Sequence, residues 1–146
     1  MSNQELQRLC EQISKKYFAR SFKHRIYFNP RLKTTGGRYY LKTHDIDINP
    51  KMLTVFSKAV LVGVIKHELC HYHLHLAGFS GQHRTKEFKQ LLAAVGGLKF
   101  APRVDQPKYT YECLKCHYQY RRNRLVNTSK FVCGKCRGKL KLIAKR

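Results

Sequence analysis

Apolar and polar positions along the chain fall into blocks of different period. Between Met1 and Phe18, the residues Leu6, Leu9, Ile13 and Phe18 recur at helical spacing among Glu5, Arg8, Glu11, Lys15 and Lys16. That pattern predicts an amphipathic helix over about 3–18 rather than a signal peptide. Arg25 to Phe28 reads as a short strand. Gly36-Gly37 mark a turn before a strand from Arg38 to Lys42, and Asp45 to Ile48 alternates as its antiparallel partner. Asn49-Pro50 is a helix start, with Asn as the N-cap and Pro at the first helical position. From Lys51 to Ala77, Val55, Phe56, Ala59, Val60, Val62, Val64 and Ile65 make the chain apolar around much of a helix, so one long buried helix is predicted, stopped by Gly78. Arg84 to Val95 returns to helical spacing, with Phe88, Leu91, Leu92 and Val95 on one stripe.

Ala101 to Pro107 contains two prolines and reads as a linker. The expected organisation is a body over residues 1–104 and a small module over 105–146. The fold class is α+β: a few helices with a small antiparallel sheet on one side. Within the module, Tyr118 to Val132 alternates enough to predict two short strands around a turn at Asn127-Thr128. No apolar run approaches the 18 or so residues of a membrane span.

The long helix carries His67-Glu68-Leu69-Cys70-His71, an H-E-x-x-H pattern. Two histidines one turn apart can hold a zinc ion, and the Glu beside the first can take a proton from water next to it. The chain's own His and Glu frequencies make an accidental match a roughly 1–2% event. A catalytic zinc needs a third protein ligand and one open position. His75 continues the i, i+4 spacing, but it lies about 12 Å along the axis from His67, too far to share one ion on a straight helix. The third ligand must therefore return after a turn. Gly78 and Gly81 allow that turn and His83 follows them, with Glu87 one helical turn further on as the alternative. His73 and His75 are expected to be exposed or structural, and Cys70 a packing residue.

Four of the six cysteines form two C-x-x-C units, Cys113/Cys116 and Cys133/Cys136, separated by 16 residues. This reads as a structural four-cysteine zinc ribbon, with His117 as a possible substitute ligand. A stretch of 39 residues is too short to build a core alone, so the metal supplies its folding energy. Paired cysteines used this way, with no signal peptide, point to a cytoplasmic protein.

The net charge is +22. Residues 108–146 hold 12 Lys/Arg against a single acid, Glu112. A field of that sign attracts polyanions, and nucleic acid is the expected partner. In the module, Tyr109, Tyr111, Tyr118, Tyr120 and Phe131 are interleaved with Arg121, Arg122, Arg124 and Lys130. Aromatics stack on bases while cations track phosphates, so the expected ligand is DNA, preferably single strands or unpaired ends. The plainer alternative makes the tyrosines a ribbon core and the charges a solvated surface.

These residues together resemble an SprT-like metalloprotease, the family that includes the Spartan protease of DNA–protein crosslink repair. The matching pieces are Gly36-Gly37-Arg38-Tyr39-Tyr40, Asp45-Ile46-Asp47-Ile48-Asn49-Pro50, His67-Glu68-Leu69-Cys70-His71 and His83-Arg84-Thr85-Lys86-Glu87-Phe88, closed by the four cysteines. The order and spacing resemble bacterial members over nearly the full length. The family often has Gly where this chain has Arg84. The resemblance implies a zincin-like helical core, His67, His71 and His83 as zinc ligands, and Glu68 as catalytic base. The metzincin pattern does not fit, because Leu74 and Ala77 occupy its Gly and His positions.

The function expected is a zinc endopeptidase, active as a monomer on DNA-bound proteins, with one catalytic and one structural zinc and no membrane partner. By analogy with comparable zinc hydrolases, the Gly37–Ile48 hairpin would hold the substrate backbone by strand addition. Tyr39 or Tyr40 would either stabilise an oxyanion or simply pack. Two other readings are a metal-dependent nuclease, suggested by the histidine run from His71 to His75, and a non-enzymatic nucleic-acid-binding factor.

Overall fold

Ser2 starts the first helix with a reciprocal cap. Its hydroxyl accepts from the Glu5 N–H at 3.1 Å, and its own N–H donates to the Glu5 carboxylate at 3.1 Å. Helix α1 then runs Asn3–Phe18 and buries Leu6, Cys10 and Ile13. The computed structural model describes residues 1–103, 108–122 and 124–145. It divides into two compact units, Met1–Val104 and Asp105–Arg146. The expected linker lies partly outside the described residues, at positions 104–107.

In the first unit, β1 (Ile26–Phe28), β2 (Gly37–Tyr39) and β3 (Ile46–Ile48) form a sheet in the order β1-β3-β2. Strands β2 and β3 pair antiparallel, with Arg38 opposite Asp47, and β1 joins on the other side in parallel. The two edges differ. The outward N–H groups of β1 are taken by amide side chains of α1: Ile26 donates to Gln7 and Phe28 to Asn3, both at 2.9 Å. Among the described residues no strand lies beyond β2. The bonds Asn49 N–H to Gly36 and Tyr40 N–H to Asp45 fix its alternation, so that Gly37 and Tyr39 direct their backbone groups outward.

The long helix differs from the expectation that it begins at Lys51. Residues Met52–Phe56 form a separate π-helical turn, and α2 spans Lys58–Leu76. The break sits at Ser57, whose extended backbone and hydroxyl cap α2 by accepting from Val60 N–H at 3.2 Å. The Asn49 side chain instead accepts from Lys51 N–H, closing a local turn. Val55 and Ala59, assigned to a buried face by pattern, are exposed. From Leu61 onward α2 is the centre of the unit: Leu61, Ile65, Leu69 and Tyr72 pack against α1 and the sheet. Helix α3 (Lys86–Val95), capped by Thr85, lays Phe88, Leu92 and Val95 on Cys70 and Leu74.

The second unit is a three-stranded antiparallel sheet in the order β5-β4-β6, from β4 (Tyr109–Cys113), β5 (Gln119–Arg122) and β6 (Leu140–Lys145). Among the described residues between Tyr118 and Val132, one of the two expected strands forms, β5. Val132 makes just an isolated bridge to Lys139, and Phe131 and Val132 are exposed. The central strand β4 alternates inward at Tyr109, Tyr111 and Cys113. Tyr109 and Tyr111 are therefore core, contrary to their expected place on a stacking surface. The Tyr111 hydroxyl accepts from Val126 N–H at 2.7 Å.

Candidate metal centres

A cleft of about 710 Å³ opens in the first unit. Its floor is α2, through Val64, His67, Glu68 and His71; one wall is β2, and the other comes from Gly81 to His83 and Leu98 to Ala101. His67, His71 and His83 converge there, with ligand atoms within 4.8 Å of one another. The Nε2 of His83 is 2.8 Å from that of His67 and 2.9 Å from that of His71.

Backbone carbonyls orient the two helical rings. His67 Nδ1 donates to Leu98 O at 2.7 Å, and His71 Nδ1 to Gly81 O at 2.6 Å. The protons are thereby held on Nδ1, and the Nε2 lone pairs point into the cleft. Burial lowers the His67 pKa against the pull of the Leu98 carbonyl. Burial also pushes His71 down to about 4, opposed by the Gly81 carbonyl and reinforced by His67 and His83. Both rings are therefore neutral at pH 7. Neutral imidazoles with convergent Nε2 lone pairs and carbonyl-bonded Nδ1–H groups fit a zinc ion. Phe88 supports all three rings, at centroid distances of 5.2, 4.6 and 5.0 Å.

Glu68 is buried, and burial, with the Asp47 charge adding, pushes its carboxyl up to about 8. A cation among the histidines opposes that shift by favouring the carboxylate. Asp47 itself is fully buried, fixed by Arg38 at 2.7 Å, Tyr40 at 2.6 Å and Asn29 at 3.0 Å.

The other candidates separate cleanly. Glu87 is exposed and lies outside the histidine group. His73 is buried and 2.7 Å from Ser14 Oγ, a structural contact to α1. His75 lies 2.7 Å from the Tyr39 hydroxyl, which also meets His44. With the Tyr40 hydroxyl on Asp47, both tyrosines named as oxyanion candidates have bonded hydroxyls. Cys70 is buried in packing.

In the second unit, Cys113, Cys116, Cys133 and Cys136 cluster. The Cys113–Cys136 sulfurs are 3.3 Å apart and the Cys116–Cys133 sulfurs 3.7 Å. Thiolates 2.3 Å from a tetrahedral ion stand about 3.8 Å apart, so the set fits zinc after slight expansion. Backbone N–H groups of Lys115 and Cys116 donate to Cys113 Sγ, and that of Lys135 to Cys133 Sγ, each at 3.4 Å. Tyr120 Oη lies 3.1 Å from Cys133 Sγ and helps bring that thiol down to about 6. His117 is exposed and outside the group. Of the residues expected to meet nucleic acid, Arg121, Arg122, Arg124, Lys130 and Tyr118 are exposed, whereas Tyr120 is half-buried at the cysteines. Lys135 stands 3.8 Å over the Tyr118 ring.

The Leu98 and Gly81 carbonyls and the Tyr120 hydroxyl are functional groups that sequence reasoning missed. Carbonyls belong to every residue and leave no mark in a sequence. Asp47 carried a signal, an acid between two apolar residues of a buried strand.

Comparison with known proteins agrees with this two-part organisation. Residues 6–110 match the SprT-like family and residues 107–144 the SprT-like zinc ribbon domain. A SprT-like protein of Lactiplantibacillus plantarum is 54% identical over 98% of this chain and all of its own length. One of Bacillus cereus is 51% identical over 99% of each chain. The crystal structure of the abylysin metallopeptidase zymogen of Pyrococcus abyssi aligns with 64% of this chain and 82% of that one, at 22% identity and a TM-score of 0.49. No helix among the described residues is long and apolar enough to cross a membrane.

Proposed function

The chain belongs to the SprT-like family, and on that premise we propose that it is a zinc-dependent endopeptidase acting on DNA-associated proteins. The observation that carries the reading is the convergence of the His67, His71 and His83 Nε2 atoms beside Glu68 in one open cleft. His67, His71 and His83 hold a catalytic zinc, and the four cysteines hold a structural one. Zinc, when bound, polarises a carbonyl and lowers the pKa of water. Glu68 takes a proton from water in the cleft and later passes it to the leaving amine. The outward backbone groups of Gly37 and Tyr39 hold the substrate as an added strand.

The nucleic-acid part of the proposal rests on charge and chemistry. The ribbon carries most of its Lys and Arg on exposed positions beside Tyr118 and Phe131. Such a surface suits single strands and unpaired ends. Co-localisation on DNA then selects substrates, in the cytoplasm, by a monomeric enzyme.

The test is cleavage of a DNA-binding protein with and without single-stranded DNA, comparing wild type with Glu68→Ala. Cleavage that requires both DNA and Glu68 supports the proposal. Absence of cleavage by folded wild type carrying two zinc ions overturns it and leaves nucleic-acid hydrolysis or binding alone.

A further inference from the structure

Two bulky apolar side chains of the cleft lie in water. Phe100 is 77% exposed and Leu41 62% exposed, and among the described residues only Leu125 falls between them. Both line the cleft that holds the histidines. Apolar groups left bare beside a catalytic centre, rather than scattered, mark a surface that something covers.

Their placement says what covers it. Strand β2 and helix α2 run in the same direction. A Cβ on Gly37 would stand 3.2 Å from Val64 Cγ1, whereas Tyr39, further along, reaches His75 at 2.7 Å. His67, Glu68 and His71 therefore face the middle of β2. Phe100 stands at the Val64 end, since its neighbour Ala101 closes on Gly36 so tightly that a side chain there would clash. It is also tethered to the centre: Leu98, two residues before it, donates to Gly63 O at 3.1 Å and accepts from His67 Nδ1. Leu41 stands at the opposite end, two residues beyond Tyr39. Strand β2 covers Gly37–Tyr39 and Leu41 opens the turn beyond it, so positions 36 and 41 stand at most roughly 16 Å apart. The open edge of β2 lies between the two side chains.

We propose that Phe100 and Leu41 are specificity-determining residues that grip bulky apolar side chains on opposite sides of the scissile bond of an extended polypeptide. The gripped residues are spaced about four or five apart, as the strand rise requires. Segments of that composition are buried in folded proteins. The occupant is thus an unfolded or locally opened polypeptide, and among the described residues the buried Glu68 is the one acid in the cleft lining. This inference rests on the endopeptidase reading, but binding can be measured apart from catalysis.

The test uses the full-length zinc-loaded Glu68→Gln protein and fluorescent peptides of Ser, Thr and Gly carrying no, one or two Leu or Phe residues. Fluorescence anisotropy should show each apolar residue tightening binding about tenfold, the effect of burying one large side chain, so that the peptide with two, four or five apart, binds about a hundredfold tighter than the plain one. Phe100→Ser and Leu41→Ser should each remove about a tenfold share of that gain, with zinc content and melting temperature unchanged because both side chains are exposed. Equal binding of all peptides, or an equal gain in the variants, overturns the proposal. Cleavage by the Glu68-containing protein is measured in parallel. Glu68-dependent cleavage without apolar preference sinks this inference alone, and peptide discrimination without cleavage sinks the endopeptidase reading, and with it the scissile bond, leaving Phe100 and Leu41 as peptide-binding residues only.

Discussion

The Nδ1 of His71 lies 2.6 Å from the carbonyl oxygen of Gly81, ten residues further along the chain. Helix α2 has ended by then, and the chain has reversed through Gly78 and Gly81, at φ of 90° and 69°. The same reversal that aims the His71 ring delivers His83. Ligand orientation and ligand supply therefore depend on one turn. An alanine at position 81 must adopt a left-handed conformation, which costs about 1 kcal/mol or more. Gly81→Ala should lower the melting temperature and weaken zinc binding at the histidines roughly 10–100-fold, the usual effect of disturbing a ligand's outer partner. Chelator competition measures this, with the cysteine site as internal reference. Unchanged affinity would show that the turn does not set the ring.

His83 and Glu87 compete by sequence for the third ligand position, and the geometry separates them. His83→Ala should reduce zinc affinity at the histidines by more than roughly a hundredfold, beyond what an outer partner contributes. Glu87→Ala should leave it unchanged, because Glu87 is exposed on α3. Zinc content after dialysis against a weak chelator reads the difference. Two ions retained by the His83 variant would remove that residue from the site.

What could be read in advance follows from the range of the interaction. Helix α1 falls on its expected bounds because its period and the Ser2–Glu5 cap are local. His67 and His71 share a helix face through i, i+4 spacing alone, and four cysteines in paired knuckles name their own cluster. The break at Ser57 escaped because a serine hydroxyl competes weakly with the backbone, and the pattern on either side stays apolar. Strand β6 (Leu140–Lys145) escaped because it buries only Leu140 and so has no apolar face to alternate with a polar one, and without it Tyr109 and Tyr111 looked free to stack. The carbonyls of Leu98 and Gly81 escaped for a deeper reason: any residue supplies a carbonyl, and only the assembled fold aims it.

Asp47 gives the body an acid-sensitive joint. Burial raises its carboxyl pKa, but hydrogen bonds from Arg38, Tyr40 and Asn29 outweigh burial and leave it below the ordinary value. A carboxyl depressed in the folded state contributes stability that is fully present above its unfolded pKa of about 3.9 and is lost as pH falls through the folded value. Asp47→Asn should therefore flatten the acid limb of the stability curve below about pH 4 while lowering stability at pH 7 by about 1–3 kcal/mol. Arg38 is 46% exposed, so its freed charge stays hydrated and adds little to the loss. Urea unfolding across pH 2.5–7 (range chosen to span about pH 3.9) gives both numbers. An acid limb as steep in the variant as in wild type would assign the sensitivity elsewhere.

The ribbon should depend on its metal, whereas the body should not. Among its described residues it buries just Tyr109, Tyr111, Cys113, Cys133 and Leu140, with Tyr120 and Cys136 partly buried against the cysteines, while the body buries a continuous core from Leu6 to Tyr72. A core that small does not offset the ordering of some forty residues without the metal. Strong chelation should therefore bring fast amide exchange to β4, β5 and β6 and leave α1 and the first half of α2 protected. Tyr120→Phe keeps the ring against Tyr118 but removes the hydroxyl near Cys133 Sγ and Gly134 N–H, at 3.1 Å each. The variant should release its ribbon zinc at roughly a tenfold lower chelator concentration. Hydrogen exchange resolved by mass spectrometry separates the two units in one full-length sample. Protection of β4 that survives complete zinc removal would mean the sheet folds on packing alone, and the cysteines would need another role.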